Sequence, residues 1–168
     1  MKKKLTGLLL LLLTLLTIIT GCGNAAGSQT SPGILPSTLP SVSTQQDAIA
    51  VTVSISCKDA VDEGYDAAIQ ASESGVILEG AQVTLAAGGT VYDALKAACE
   101  AADIPVEESG SGDMLYISAI ASLAAGDCGN ESGWIYSVNG ESGMVSAVAM
   151  ELSQGDQVSW DYITKFDL

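Results

Sequence analysis

Ser132-Gly133-Trp134-Ile135-Tyr136-Ser137-Val138-Asn139-Gly140 carries the reading of the fold. Trp134, Tyr136 and Val138 recur at every second residue, so they share one face of an extended strand while Ile135 and Ser137 take the other. Asn139-Gly140 then supplies the two left-handed positions of a type I′ turn, which need φ > 0 twice. The stretch predicts a strand with an aromatic face, ended by a tight hairpin. Two roles fit Trp134 and Tyr136. They pack in a core, or one of them stands at the sheet rim and stacks on a planar or sugar-like ligand.

The pattern continues on both sides. Downstream, Ala147 to Leu152 reads as a strand, Gln154-Gly155-Asp156 as a tight turn, and Val158, Trp160 and Tyr162 as a last alternating stripe. Upstream, Leu115, Ile117 and Ala119 alternate behind a Gly/Ser turn at 109–113, and Ile104 to Glu107 reads as a short strand. Thr90 is placed as a helix N-cap with Asp93 near the positive end of the dipole. Val91, Leu95, Cys99 and Ala102 fall at helical spacing, which predicts a three-turn amphipathic helix ended by Asp103 and Pro105. Val76–Leu78 and Gln82–Leu85 read as two strands split by Glu79-Gly80, followed by a turn at Gly88-Gly89. The polar, acidic run 59–70 reads as loop. Val51, Val53, Ile55 and Cys57 alternate with Thr52, Ser54 and Ser56 as a half-buried first strand. About seven short strands and one amphipathic helix make an α+β domain over residues 47–168, long enough to fold alone.

The ordered set Val53-Ser54-Ile55-Ser56-Cys57, Gly88-Gly89-Thr90-Val91-Tyr92-Asp93-Ala94-Leu95, Asp127-Cys128-Gly129, Ser132 to Gly140, and Gly155-Asp156-Gln157-Val158-Ser159-Trp160 resembles a family. It is similar to the transcobalamin-like C-terminal domain of bacterial surface proteins, catalogued as a domain of unknown function. The resemblance covers residues 49–162. It implies a β-grasp-like domain, and it brings in cobalamin or a related corrinoid as a candidate bound ligand. In vertebrate cobalamin carriers the similar domain closes over one face of the corrinoid together with a separate helical domain. The candidate ligand residues are Trp134 for a stacking face, Tyr136 for a hydroxyl and Asn139 for an amide. An adhesion or protein–protein interaction module, a purely structural surface domain and a carbohydrate-active protein are the rival readings.

The first 21 residues read as a lipoprotein export signal. Lys2, Lys3 and Lys4 precede an apolar run from Leu8 to Ile19, and Ile19-Thr20-Gly21-Cys22 resembles a lipobox. The run is shorter than the roughly 20 residues that span a bilayer as a helix. Cys22 is the expected lipidation site, and residues 22–46, with Pro32, Pro36 and Pro40, read as a semi-extended tether. The expectation is a chain anchored by lipid on the extracytoplasmic face of a bacterial cell membrane.

Composition narrows the chemistry. The 168 residues hold no histidine, and all six basic residues are lysines. Histidine-activated nucleophiles, His-ligated zinc and arginine clamps are therefore excluded. Without the signal, three lysines face 20 acidic residues, a balance of −17. Such a surface repels nucleic acid and anionic headgroups alike, so neither is an expected partner. The chain is expected not to be an enzyme, a carboxylate-pair glycosidase being the alternative left open. The acidic loops, Asp59, Asp62, Glu63 and Asp66 in one and Asp127, Asn130 and Glu131 in the other, lack EF-hand spacing, so no metal site is expected. With Cys22 lipidated, Cys57, Cys99 and Cys128 remain. A Cys57–Cys128 disulfide is favoured, with Cys57–Cys99 and Cys99–Cys128 as rivals.

Overall fold

The computed structural model describes residues 47–166. The export signal, Cys22 and the tether lie outside the described residues. Strand β1 (Ala48–Ser56) opens the domain, its Val51, Val53 and Ile55 buried at alternate positions as their spacing requires. Two short helices follow, α1 (Lys58–Asp62) and α2 (Asp66–Ala71), then β2 (Val76–Ala86) and the longest helix, α3 (Val91–Ala101). Next come β3 (Val106–Ser109), a 3-10 turn (Gly112–Met114), β4 (Tyr116–Ile120) and β5 (Leu123–Ala124). The chain then forms β6 (Gly133–Val138), β7 (Glu141–Ser142) and β8 (Gln157–Ile163).

The strands form two sheets. One is five-stranded in the order β2-β1-β8-β6-β7, the other three-stranded in the order β3-β4-β5. Among the described residues only β1 and β8 run parallel, and every other strand pairing is antiparallel. Helix α3 buries Val91, Ala94, Leu95, Ala98 and Cys99 against β1 and β2. Its start is held by a reciprocal capping box. Asp93 N–H donates to Thr90 Oγ1 at 3.2 Å, and Thr90 N–H donates back to Asp93 Oδ2 at 2.9 Å. The main core joins this helix face to the inward residues of β1, β4, β6 and β8. Burying one such Val or Leu side chain is worth about 1.5–3 kcal/mol, so this face anchors the layer.

The architecture is a mixture of sheet and few helices, as expected, with four local corrections. Residues 59–70 are not loop: α1 and α2 form there because Ala60 and Ala68 are driven into a buried cluster. Val76–Leu78 and Gln82–Leu85 are one strand. Gly80, at φ +61°, absorbs a bulge where Val53 pairs with Ala81 but Ile55 pairs with Leu78. Residues 147–152 are not a strand apart from one bridge between Thr90 and Glu151. Their backbone groups bond the entry to α3 instead, from Val91 N–H to Met150 O and from Tyr92 N–H to Ala147 O. The short β5 and β7 have no counterpart in the sequence pattern, which brings the strands to eight among the described residues.

Candidate functional site

β6 and β8 set the geometry of the site. Asn139 N–H donates to Gln157 O at 2.8 Å, which puts the β8 ladder bonds on the odd residues of β6. Trp134, Tyr136 and Val138 therefore oppose Tyr162, Trp160 and Val158 in the close, non-hydrogen-bonded pairs where side chains meet most fully. Trp134 meets Tyr162 edge to face, centroids 5.1 Å apart, and Tyr136 tilts against Trp160 at 5.5 Å. Tyr136, Trp160 and Tyr162 are buried and Trp134 is half-buried. The core role thus holds for three of these rings. Trp134 packs against the core and also reaches the surface: its Nε1–H donates to Leu123 O at 2.9 Å, and its ring borders a cleft.

Tyr136 also shapes that cleft. Its hydroxyl donates to Val145 O at 2.7 Å, and burial pushes its ionisation upward. Gly143 N–H donates to Tyr136 O at 3.0 Å. Gly143 sits so close over the Tyr136 ring that a Cβ there would overlap it. At its far end the loop is tied to the chain entering β4, Ser146 Oγ–H donating to Leu115 O at 3.2 Å. The loop 142–147 thereby bridges from β6 to β4 and encloses, with Ile163 to Phe166, an open cleft of about 910 Å³.

The rim of this cleft is unusual. Among the described residues seven large apolar side chains are exposed, and five of them, Met114, Tyr116, Met144, Val145 and Phe166, line this one cleft. Met144 is 93% exposed and Met114 82%. Scattered exposed apolar groups are ordinary, but their gathering around one concavity makes this cleft the candidate binding surface. Methionine adds a flexible, polarizable wall that adapts to irregular shapes. The charged lining is one Asp113 and one Lys165, so a near-neutral site sits on a strongly acidic chain. A catalytic carboxylate pair is not present in this lining.

Sequence reasoning placed Trp134 and Tyr136 here and missed the rim. Met144 and Val145 stand in a Gly/Ser stretch just after a hairpin, where apolar residues have no packing partner in sequence; that was the available signal. Asn139 lies outside the cleft. Its Nδ2 donates to Asp156 Oδ1 at 2.9 Å and its Oδ1 accepts from Gln157 N–H at 3.0 Å, so its amide clasps two turns together. Asn139 and Gly140 take φ +53° and +84°, the values the type I′ reading requires.

Cys57 and Cys128 meet in a second buried cluster with Ala60, Ala68, Leu123 and Tyr162, and Cys99 lies in the main core. All three are free thiols in this structure, so the expected Cys57–Cys128 bond is not formed. Cys57 Sγ–H donates to Ala68 O at 3.7 Å, and burial pushes the ionisation of both the Cys57 and the Cys128 thiol upward. Burial pushes the Cys99 thiol up to about 11. Among the described residues no group of three or more candidate metal ligands occurs, and no helix is long and apolar enough to cross a membrane.

Residues 88–164 match the model of a family described as a domain of unknown function, DUF4430. A comparison with curated protein sequences gives no match. Among solved structures the chain is similar to haptocorrin in complex with Cbi, at 18% identity and a TM-score of 0.53, over 72% of this chain and 26% of that one. It spans about a quarter of haptocorrin. A candidate metal-binding protein from Ruminococcus gnavus ATCC 29149 aligns over 70% of this chain and 99% of that one, at 14% identity and a TM-score of 0.45. The haptocorrin likeness relates the fold of this domain to that of part of haptocorrin.

Proposed function

We propose that this chain is a non-catalytic ligand-binding module, held by lipid at Cys22 on the outer face of a bacterial membrane, whose cleft takes a neutral, largely apolar ligand of the corrinoid class. The observation that supports this reading is the gathering of five exposed apolar side chains around one near-neutral concavity floored by Trp134, Tyr136 and Trp160. The partial fold likeness to haptocorrin, whose structure carries Cbi, supports the choice of ligand class. Helix α3 lying across the five-stranded sheet supports a β-grasp-like description. Stacking on one ring and one or two hydrogen bonds contribute about 1–3 kcal/mol, so this module alone binds modestly and shares tight capture with a second domain or protein.

The test is a titration of the purified chain with cobalamin and cobinamide, following tryptophan fluorescence corrected for corrin absorbance. A saturable change that weakens in Met144→Asp is the expected result, because that side chain is exposed and its replacement leaves the core intact. No saturable change up to millimolar ligand rejects the corrinoid reading and leaves the adhesion module. The anchor is tested separately: Cys22→Ala moves the chain out of the detergent phase, and unchanged partitioning sinks the anchor assignment.

A further inference from the structure

The register of β6 leaves one rung of its ladder open inside the cleft. Residues 133, 135 and 137 bond β8. The even residues face the other way: Val138 pairs with Glu141 of β7, and Tyr136 O accepts from Gly143 N–H. There the hairpin partner departs. Val145, which would stand opposite Trp134, instead gives its carbonyl to the Tyr136 hydroxyl. Trp134 N–H, Trp134 C=O and Tyr136 N–H are left without a partner among the described residues. On the same wall Trp160, only 3% exposed, has its Nε1–H buried without an acceptor. Backbone groups in an apolar wall are costly to leave unpaired, and water or a ligand must take them up.

From this edge we infer that the cleft recognises a planar, neutral amide on its ligand, paired to the N–H and C=O of Trp134. The chemistry follows by elimination. A carboxylate cannot donate to the Trp134 carbonyl, and it meets a chain with 20 acidic residues. An ammonium cannot accept from the Trp134 N–H. A hydroxyl offers donor and acceptor at a single atom. A primary carboxamide presents N–H and C=O side by side in one plane, and an extended peptide presents the N–H and C=O that flank one residue; both complement a strand edge. The inference rests on the cleft being the ligand site and adds what the ligand must carry there. A corrinoid carboxamide and a peptide main chain are the two sources of this group.

Amide hydrogen exchange followed by NMR on the purified chain reads the pairing directly. In the free protein the Trp134 amide is expected to exchange about tenfold or more faster than that of Ile135, which is bonded into the β8 ladder. Cobinamide should slow the Trp134 amide while leaving Glu141 unchanged. Heptamethyl cobyrinate, a neutral ester without N–H groups, should bind about fivefold more weakly, the worth of one hydrogen bond. A slow Trp134 amide in the free protein overturns the inference. So does cobinamide binding that quenches tryptophan but leaves Trp134 exchange unchanged and does not distinguish amide from ester, an outcome that spares the cleft reading. A capped extended tripeptide that protects Trp134 where cobinamide does not supports amide pairing and removes the corrinoid. Protection by neither probe at millimolar concentration overturns the proposal.

Discussion

Ala121 and Ser122 occupy the two-residue turn between β4 and β5 with φ of +52° and +65°, a pairing of residue type and conformation that the chain tolerates at a cost. Each left-handed residue with an ordinary side chain costs about 1–2 kcal/mol. Replacing the pair with Ala121→Asn and Ser122→Gly should therefore stabilise the domain by roughly 1–2 kcal/mol, seen as a higher urea midpoint at unchanged slope. No gain would mean the turn is held without strain. Asn139-Gly140 shows the contrast: there residue type and conformation agree, so the turn is legible from sequence, whereas Ala-Ser announces nothing. Asp161 makes a second case. It sits opposite Ile135 on the outer face of β8, and burial, with the Asp59 charge behind it, raises its ionisation above the ordinary range. A carboxyl with a raised folded value favours the folded state below the unfolded value, near pH 4, and loses that contribution as pH rises through the folded value. Asp161→Asn should consequently raise the melting temperature at pH 7 and lose its advantage as the pH falls toward 4. An equal gain at both pH values would point to packing as the cause.

Helix α3 is the element the sequence announces most fully, because cap, apolar stripe and terminator agree over eleven residues. Thr90→Ala removes the side-chain acceptor for Asp93 N–H and should cost about 1 kcal/mol, with a fall of roughly 4 °C in melting by circular dichroism. A loss under a few tenths of a kcal/mol would show that the adjoining 147–152 segment carries the helix start unaided. That segment is also where sequence reading went astray. Its alternation is real, with Ala147 and Leu152 buried, but its backbone bonds go to Gly89, Val91 and Tyr92 rather than to a strand. Helices α1 and α2 were illegible for a related reason. They are five and six residues long, too short to form on propensity, and exist because the second cluster buries Ala60 and Ala68. The cleft divides along the same line: Trp134 and Tyr136 follow from a strand period, while Met114, Met144 and Phe166 lie in segments without one.

At the scale of the molecule, two buried clusters hold the chain, and the smaller one is where a covalent link would matter most. It gathers Cys57 from the end of β1, Ala60 of α1, Ala68 of α2, Leu123 of β5, Cys128 and Tyr162 of β8, so it ties together segments far apart in sequence. Tyr162 Oη donates to Ala124 O at 2.6 Å and lies 2.9 Å from Ser132 Oγ, which fixes the loop carrying Cys128. Cys57 and Cys128 share this cluster and Cys99 lies in the other, which favours Cys57–Cys128 over the two rival pairings. In an oxidising compartment, exchange with a small-molecule disulfide would join the two sulfurs, the incoming disulfide taking up the two electrons and two protons. Closing a loop of about 70 residues stabilises the domain by roughly 4 kcal/mol in the chain-entropy account. Air-oxidised protein, unfolded in denaturant and alkylated without reduction, should carry label on Cys99 and none on Cys57 or Cys128 among these three. Adding reductant should then lower the urea midpoint of the wild type and leave that of Cys57→Ala unmoved. Label on Cys57 in the unreduced digest, or a midpoint indifferent to reductant, would show that packing alone holds this cluster.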